Sequence, residues 1–328
     1  MSKLFNSIQI GSLNLNSRLV MPPMATGKAP DGNVTEDILK YYDDKSQGGY
    51  IGLIVIEHSY INPEGKAHKN QLSVSEGVDI DKLKALADII HKNGSKAVMQ
   101  INHAGIQTSE EVTGFPSVGP SSVANSKGVV AKELSVDEIK GIVKAFGEAA
   151  SRVKAAGFDG VEIHAAHGYL LHQFFTPLTN KRTDSYGGDV KNRIRIHLEV
   201  IEAVRKAVGE NFPILLRLGA SDYTEGGVTI EDSLVAGVEF EKAGINILDV
   251  SGGVRGFVVP GANEEGYFWP LTEALKEALS IPVVLTGGIV TPEAAEKLLQ
   301  EEKADLIGVG RAIYKDSEWS KKAFERLK

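Results

Sequence analysis

The chain has 328 residues, of which 42% are hydrophobic and 24% are charged, and its formal net charge is -7. A chain of this size can bury a sizeable core, and it has no block of basic residues that would suit nucleic acid or an anionic membrane. It contains no cysteine, which excludes disulfides, thiolate-bound zinc and cysteine-bound iron–sulfur clusters. No apolar run is long enough to cross a bilayer and residues 1–18 lack the apolar segment of a signal peptide, so we expect a cytoplasmic protein.

Eight apolar, β-branched runs alternate with amphipathic runs along the chain. The predicted strands are, in chain order, residues 18–23, 51–57, 96–102, 159–164, 213–219, 246–252, 281–288 and 304–311. This alternation predicts an α/β fold, a (β/α)8 TIM barrel in which a helix follows each parallel strand. An open, doubly wound sheet is the alternative, because the same alternation produces it.

The segments between the strands read as helices and loops. Residues 35–49, 79–94 and 135–157 are typical helices, and Thr291 before Pro292 reads as an N-cap followed by a proline in the first turn. Residues 5–18 predict a hairpin that could plug the bottom of the barrel. Long loops follow the third strand (residues 103–134) and the fourth (residues 165–189). We expect residues 1–328 to form a single domain.

Polar or small residues end most of the predicted strands. In a TIM barrel, chemistry takes place at the carboxyl ends of the strands, which meet at one face. Gln100 and His164 fall at the ends of the third and fourth strands, and Arg217 interrupts an otherwise apolar fifth strand. In isolation an inward arginine could equally be part of a buried ion pair. Together these residues predict a pocket with a cation on one side.

The loops after the last two predicted strands suit a phosphate group. Gly287 and Gly288 follow the seventh strand, and Gly310 and Arg311 end the eighth. Glycines let backbone N–H groups approach an anion, a helix start adds partial positive charge, and an arginine can bind two phosphate oxygens. Ordinary tight turns are the alternative interpretation of the same glycines.

The run from His164 to Gly188 contains several groups that titrate or donate hydrogen bonds. His164, His167 and His172 could bind a metal, but no matching carboxylates occur at the other strand ends. They could also be buried structural histidines. The third interpretation is that His164 and His167 donate hydrogen bonds to a substrate oxygen while Tyr169 acts as a general acid.

Residues 164–188, "HAAHGYLLHQFFTPLTNKRTDSYGG", resemble the signature of the Old Yellow Enzyme family of FMN-dependent NAD(P)H:flavin oxidoreductases, or ene-reductases. The similarity extends over almost the whole chain. It includes "LFNSIQIGSLNLNSRLVMPPM" at the start, "MQINHAGIQ" at the third strand, "LLRLGASDY" at the fifth, and "LTGGI" and "ADLIGVGRAI" at the last two.

The resemblance implies a single FMN-binding barrel that takes hydride from NADPH or NADH and reduces a small activated alkene in a ping-pong reaction. His164 and His167 would bind the activating oxygen of the substrate, and Tyr169 would donate the proton. Metal would have no role, and a homo-oligomer is possible. The residues implied to bind the cofactor are Pro23, Met24, Ala25, His58, Gln100, Arg217, Gly287, Gly288, Gly310 and Arg311.

Two positions depart from the family pattern. Ala25 stands where the family usually has a threonine or cysteine that tunes the flavin, although Thr26 is adjacent. His58 stands where the family has a small residue whose backbone meets the flavin. These departures keep open a flavin-binding protein with little turnover, and a different flavin oxidoreductase on the same barrel is a further alternative.

The predicted loop after the sixth strand contains four aromatic residues that either shape the substrate pocket or pack a long loop. They are Phe257, Tyr267, Phe268 and Trp269.

Overall fold

The structure, a computed structural model, describes residues 2–125 and 128–328. Within these residues, a two-stranded hairpin precedes eight parallel strands that close into a barrel, and a second two-stranded sheet lies in the loop after the third barrel strand. The predicted α/β fold and the TIM barrel are therefore confirmed, and the open doubly wound sheet is excluded.

The hairpin strands are β1 (Ile8–Ile10) and β2 (Leu13–Leu15). The barrel strands are β3 (Leu19–Met21), β4 (Leu53–Tyr60), β5 (Lys96–Asn102), β8 (Gly160–Ala165), β9 (Ile214–Gly219), β10 (Ile247–Ser251), β11 (Val283–Thr286) and β12 (Leu306–Gly308). The strands of the small second sheet are β6 (Val118–Gly119) and β7 (Lys132–Glu133). All eight predicted strands thus form; β5 has the predicted bounds, and the other seven differ from the prediction by a few residues at their ends.

The helices of the first half are α1 (Glu36–Ser46), α2 (Ile80–Lys92), α3 (Glu110–Thr113), α4 (Val136–Ala155), α5 (Leu170–Phe175) and α6 (Val190–Arg193). Those of the second half are α7 (Arg195–Val208), α8 (Ile230–Lys242), α9 (Trp269–Ala278), α10 (Pro292–Gln300), α11 (Arg311–Lys315) and α12 (Trp319–Leu327). Among the described residues, no helix is both long enough and apolar enough to span a bilayer.

Local sequence signals explain where the helices begin. Ser135 caps α4 in a capping box, in which its hydroxyl accepts from the Glu138 N–H and the Glu138 carboxylate accepts from the Ser135 N–H. Thr291 caps α10 by accepting from the Ala294 N–H, with Pro292 in the first turn, as the sequence predicts.

The core has two parts because every barrel strand buries both faces. One part lies between the barrel and its helices, and includes Ile54 and Leu285. The other lies inside the barrel, where Leu53 and Val284 pack together. Hairpin residues such as Leu13 join this inner cluster, which confirms that the hairpin plugs the bottom of the barrel.

Side chains inside the barrel change from apolar to polar toward the carboxyl ends of the strands. Since side chains two positions apart share a face, each inner apolar residue is followed by a second inner residue one layer higher. Val98 is followed by Gln100, Leu215 by Arg217, and Ile247 by Asp249. Apolar packing therefore closes the lower barrel, and polar groups form the floor of its upper end.

Arg182 is one of the residues that tie the two long loops to each other. Arg182, in the second loop, donates to the carbonyl oxygens of Pro120 (2.9 Å) and Leu134 (2.6 Å), both in or next to the first loop. It also pairs with Asp184 at 2.6 Å. Nearby, Asn180 donates to two carbonyl oxygens of its own loop. These contacts give Arg182 and Asn180 a structural role in the loops.

Candidate active site

A cavity of about 510 Å³ opens at the carboxyl ends of the barrel strands. All of the site residues predicted from the sequence line it. They are Pro23, Met24, Ala25, His58, Gln100, His164, His167, Tyr169, Arg217, Gly287, Gly288, Gly310 and Arg311. The structure therefore brings together residues that are spread over almost the entire chain.

The cavity also has lining residues to which the sequence assigned no definite role. They are Pro22, Ser251, Gly256, Phe257, Tyr267, Phe268, Thr286, Ile289 and Gly308. Of the four aromatic residues considered as pocket-shaping or loop-packing, Phe257, Tyr267 and Phe268 thus line the cavity. Trp269 does not: it begins α9, and the Lys303 ammonium lies 4.2 Å from its ring centroid.

The floor of the cavity is a buried charged layer. Arg217 Nε lies 3.3 Å from Asp249 Oδ2, and Gln100 Nε2 donates to Glu162 Oε2 at 2.6 Å. Burial, and next the charge of Asp249, raises the pKa of the Glu162 carboxyl, against the opposing effect of Arg217. Burial also raises the pKa of Asp249. Glu162 and Asp249 thus lie near one arginine, which favours a state in which one of the two carboxyl groups is protonated.

His164 lies beside this layer, at the end of β8, and is only 2% exposed. Its Cα pairs in register with that of Arg217 on β9. Burial, reinforced by the neighbouring His167, His58 and Arg217, lowers the pKa of His164 well below its ordinary value. The imidazole is therefore neutral at pH 7. Its Nδ1 is buried without a hydrogen-bond partner among the described residues.

His167 has a strained backbone that orients its ring. Its φ is 59°, in the left-handed region that non-glycine residues seldom adopt, and Gly168 follows with a φ of 73°. The turn places His167 Nε2 2.7 Å from the hydroxyl oxygen of Ser251 on β10. Burial, and next the charge of Arg217, lowers the pKa of His167 well below its ordinary value, so this imidazole is neutral as well.

Tyr169 completes the group. Its ring centroid is 5.0 Å from that of His164, and the His164 and His167 centroids are 5.1 Å apart. Burial raises the pKa of Tyr169, so the phenol keeps its proton at neutral pH. No described residue is hydrogen-bonded to its hydroxyl. Three polar groups that are neutral at pH 7 therefore meet at one side of the cavity.

Another part of the cavity wall is rich in glycine. A Cβ on Gly288 would lie 2.5 Å from the Tyr267 ring, and one on Gly308 would lie 2.1 Å from Thr286 Oγ1. The backbone N–H groups of Gly288 and Gly310 have no hydrogen-bond partner among the described residues. Arg311 begins the short helix α11 directly after this loop. Backbone donors and a cation thus face the same space.

The first barrel strand contributes a proline-rich segment, residues 22–25. Thr26, considered as a replacement for the hydroxyl or thiol that Ala25 lacks, does not line the cavity. Its backbone N–H and its hydroxyl both donate to the buried carboxylate of Glu57, at 2.9 and 2.6 Å. Thr26 is therefore held by the barrel wall rather than turned toward a ligand.

His172 is separate from the other histidines. It is fully buried, with Nε2 3.1 Å from Asp222 Oδ1, and it does not line the cavity. Asp222 also accepts from the Thr176 hydroxyl at 2.5 Å and from the Val254 N–H at 2.8 Å. These contacts join α5 to the loops after β9 and β10. In the described part of the chain, no group of three histidines or carboxylates is placed to bind a metal ion.

Several residues that hold the site in place were not found from the sequence. Ser251 holds His167, Asp249 holds Arg217, and Gln71 holds His58 through a 2.7 Å contact between Gln71 Nε2 and His58 Nδ1. The sequence could have identified Asp249 as a site residue, because it is an acidic residue within an apolar strand. Gln71 had none, since nothing in its local sequence relates it to a residue thirteen positions away.

Comparison with known proteins agrees with this geometry. Residues 3–328 match the profile of the NADH:flavin oxidoreductase / NADH oxidase family. The chain belongs to this family. The predicted resemblance is confirmed, and so, at the level of the family, are an oxidoreductase function, FMN as cofactor and a reduced nicotinamide as reductant.

Curated relatives differ in length. The chain is 41% identical over 330 residues to an NADH oxidase of Thermoanaerobacter brockii, covering 98% of this chain and 50% of that protein. The chain therefore spans about half the length of this relative. It is 38% identical over 320 residues to an NADPH dehydrogenase of Clostridium acetobutylicum, covering 96% of this chain and 92% of that protein.

Among solved structures, the chain is similar to the old yellow enzyme homologue from Zymomonas mobilis. The TM-score is 0.86 at 28% identity, over 99% of this chain and 93% of that one. This similarity places the barrel with old yellow enzymes in fold and family.

The cavity has the donors and acceptors that FMN requires. The free backbone N–H groups of Gly288 and Gly310, together with Arg311, suit a phosphate. At the other end of the cavity, the second N–H and the carbonyl oxygen of the Gln100 amide have no partner among the described residues. The terminal nitrogens of Arg217 likewise have no hydrogen bond there. A ring edge that carries both donors and acceptors fits between these two side chains.

The neutral state of the buried imidazoles predicts a specific pH dependence. In the unfolded chain His164 takes up a proton near pH 6.5, whereas burial prevents this in the folded protein. The unfolded state therefore binds more protons below pH 6.5, and stability falls as the pH falls. We expect the stability of wild type relative to the His164→Asn variant to decrease by about 1.4 kcal/mol for each pH unit below 6.5.

Urea denaturation of both proteins at a series of pH values from 8 to 5 measures this difference. Between pH 7 and 8 it should be constant, because His164 is neutral in both states there, and this range serves as the control. A difference that stays constant down to pH 5 would show that His164 charges freely in the folded protein.

Proposed function

We propose that this chain reduces the C=C bond of α,β-unsaturated carbonyl compounds or related activated alkenes, using NADH or NADPH as the reductant. The reaction would follow a ping-pong order, in which the oxidised nicotinamide leaves before the alkene enters the same cavity. FMN, when bound, supplies the hydride-transfer chemistry. We further propose that the barrel of residues 1–328 is a single FMN-binding domain.

One observation carries the proposal: two neutral imidazoles and a protonated phenol meet at one side of the cavity. The His164 ring lies 5.1 Å from the ring of His167 and 5.0 Å from that of Tyr169. When an alkene conjugated to a carbonyl accepts hydride, negative charge develops on the carbonyl oxygen. Donors already fixed near that oxygen stabilise the charge without having to reorganise.

Both imidazoles can act as donors in their neutral forms. When the Ser251 hydroxyl donates to His167 Nε2, the ring hydrogen of His167 resides on Nδ1, which would then be its nitrogen available to a ligand. His164 has a buried Nδ1 without a partner among the described residues, so Nε2 is its nitrogen available to a ligand. Binding and stabilisation of the substrate oxygen thus require no proton transfer from either histidine.

The proton for the α-carbon would come from Tyr169. Burial raises the pKa of the phenol, so the proton is retained until the substrate becomes basic. The hydroxyl is not bonded to any described residue and is free to turn toward a ligand. This division of work, with two donors at the oxygen and one acid at the carbon, explains why all three side chains lie together.

The remaining cavity residues would hold the cofactor. Gly287, Gly288, Gly310 and Arg311 would bind its phosphate, and Gln100 and Arg217 the polar edge of its ring. Pro23, Met24 and Ala25 would pack along the ring, together with the backbone of His58. A flavin-binding protein with little turnover would use the same residues to bind FMN. Measurement of turnover therefore distinguishes it from an ene-reductase, and measurement of flavin content does not.

Removal of Arg311 should weaken cofactor retention. We expect Arg311→Ala to lose about 1.5–3 kcal/mol of FMN binding free energy, because one charge-assisted contact to the phosphate is lost. The matched control is Arg255→Ala, which removes an exposed arginine that donates to Thr224 and does not line the cavity. Equilibrium dialysis of FMN against both variants gives the two affinities. Equal affinities would place the phosphate elsewhere.

Tyr169→Phe tests the reaction. This variant keeps the ring and loses only the hydroxyl, so folding and FMN binding should survive. We expect flavin reduction by NADH or NADPH to stay within a few-fold of wild type, because no proton is needed from Tyr169 in that half-reaction. Reoxidation by cyclohex-2-enone should slow by roughly 10²–10⁴-fold, the range typical of a lost general acid.

Stopped-flow absorbance follows the two half-reactions separately. Nitroalkenes are an internal control, since the nitronate product can leave and be protonated in water, and their reduction should slow less. If both halves slow equally in Tyr169→Phe, the residue shapes the cavity instead of donating a proton. If no activated alkene reoxidises the reduced wild-type protein, alkene reduction is refuted, which leaves a flavin-binding protein with little turnover or a different flavin oxidoreductase.

A further inference from the structure

His58 enters the cavity because of an irregularity in β4. The register between β4 and β5 shifts between Ile56 and Ser59, which is the signature of a bulge. Bulges redirect side chains and are frequent next to active sites. Here the Glu57 side chain faces Thr26, and the His58 ring lines the cavity at 9% exposure.

The position of the ring hydrogen of His58 follows from its neighbours. The Ala67 N–H donates to Gln71 Oε1 at 2.6 Å, which fixes the orientation of the Gln71 amide. Gln71 Nε2 then faces both the His58 carbonyl oxygen, at 3.0 Å, and His58 Nδ1, at 2.7 Å. Since an amide nitrogen can only donate, Nδ1 must accept. The hydrogen of a neutral His58 therefore resides on Nε2.

His58 is also neutral over the physiological range. Burial, with smaller contributions from the adjacent His68 and from Arg217, lowers the pKa of His58 to about 3. A neutral ring with an accepting Nδ1 has one N–H to offer, at Nε2. That atom has no hydrogen-bond partner among the described residues, and it lies on the ring edge opposite the buried Gln71.

The ring of His164 adjoins the rings of both other cavity imidazoles. The centroids of His58 and His164 are 6.2 Å apart and those of His164 and His167 are 5.1 Å apart. His58 also lies 5.3 Å from the ring of Tyr169. A single carbonyl oxygen has two lone pairs, which the donors of His164 and His167 would occupy. The N–H at His58 Nε2 is then left for a second acceptor.

We propose that His58 is a specificity-determining donor that binds a second oxygen of the substrate, and that the site therefore prefers activated alkenes with two oxygen acceptors, such as ene-diones. This inference rests on the proposed function, because it concerns the alkene substrate. The charge of the cavity agrees with it: Arg217 and Arg311 line the cavity, and no carboxylate does so among the described residues. A second carbonyl oxygen meets no repulsion there.

The test compares two substrates of the same ring size, cyclohex-2-enone and cyclohex-2-ene-1,4-dione, in the FMN-loaded protein. The quantity measured is the ratio of kcat/KM for the dione to kcat/KM for the enone, which cancels general damage to the site. We expect His58→Phe to lower this ratio about 3- to 12-fold, the range for one neutral hydrogen bond. The matched control is His68→Phe, whose ring adjoins His58 but does not line the cavity, and which should leave the ratio unchanged.

Different results point to different failures. An unchanged ratio in His58→Phe, with both rates reduced equally, would overturn the proposal in favour of a third donor to the same oxygen. Failure of wild type to reduce either compound would refute the proposed function, and this proposal with it. If His58→Phe does not fold, His58→Ala serves for the same ratio.

A second measurement is independent of turnover. In the FMN-loaded protein with ¹⁵N-labelled histidine, the resonances of His58 are identified by their loss in His58→Phe. We expect the pattern of a neutral ring with hydrogen on Nε2 throughout pH 6–8. A hydrogen on Nδ1, or a charged ring, would remove the donor from the cavity and overturn the proposal.

Discussion

Burial of the polar groups around the charged Arg217 sets the electrostatics of the cavity. The guanidinium is 4% exposed and lies against Asp249, on the neighbouring strand, at 3.3 Å. Its positive charge disfavours protonation of His58, His164 and His167. Burial of these three imidazoles lowers their pKa values more than this charge does. The same charge opposes the rise in the pKa of the carboxyls beneath it. Burial, with the charge of Arg217 as a smaller contribution, therefore keeps the three imidazoles neutral, so that each can donate an N–H.

The barrel makes this arrangement possible because it separates packing from chemistry along each strand. Leu215 packs within the lower barrel, and Arg217, two positions later, lies in the polar layer. Stability therefore depends on residues below the site, while the loops above it can vary. Asp222 links those loops to α5 through buried hydrogen bonds, so the mouth of the cavity is anchored without using the residues that would contact a ligand.

Much of the fold could be predicted from the sequence because the relevant signals are local, whereas site residues such as Met24 and His58 were predicted only from the family resemblance. Apolar runs located the eight strands, and the glycines after β11 and β12 predicted a phosphate-binding end. Contacts between distant segments could not be predicted in this way. The bulge in β4 that turns His58 into the cavity, and the Gln71 amide that fixes its hydrogen, depend on tertiary packing. The cavity position of Phe257, in contrast to Trp269, depends equally on the path of a loop.

The central claim is that His164 and His167 donate to one oxygen that carries negative charge. A phenolate supplies such an oxygen without undergoing reaction, and its binding is read from the long-wavelength absorbance of its complex with the FMN-loaded protein. Titration of wild type, His164→Ala and His167→Ala with a p-substituted phenol is therefore the most direct test. The account predicts that each substitution weakens binding roughly tenfold or more, as for the loss of a hydrogen bond to a charged group. Binding as tight as that of wild type in both variants would contradict it.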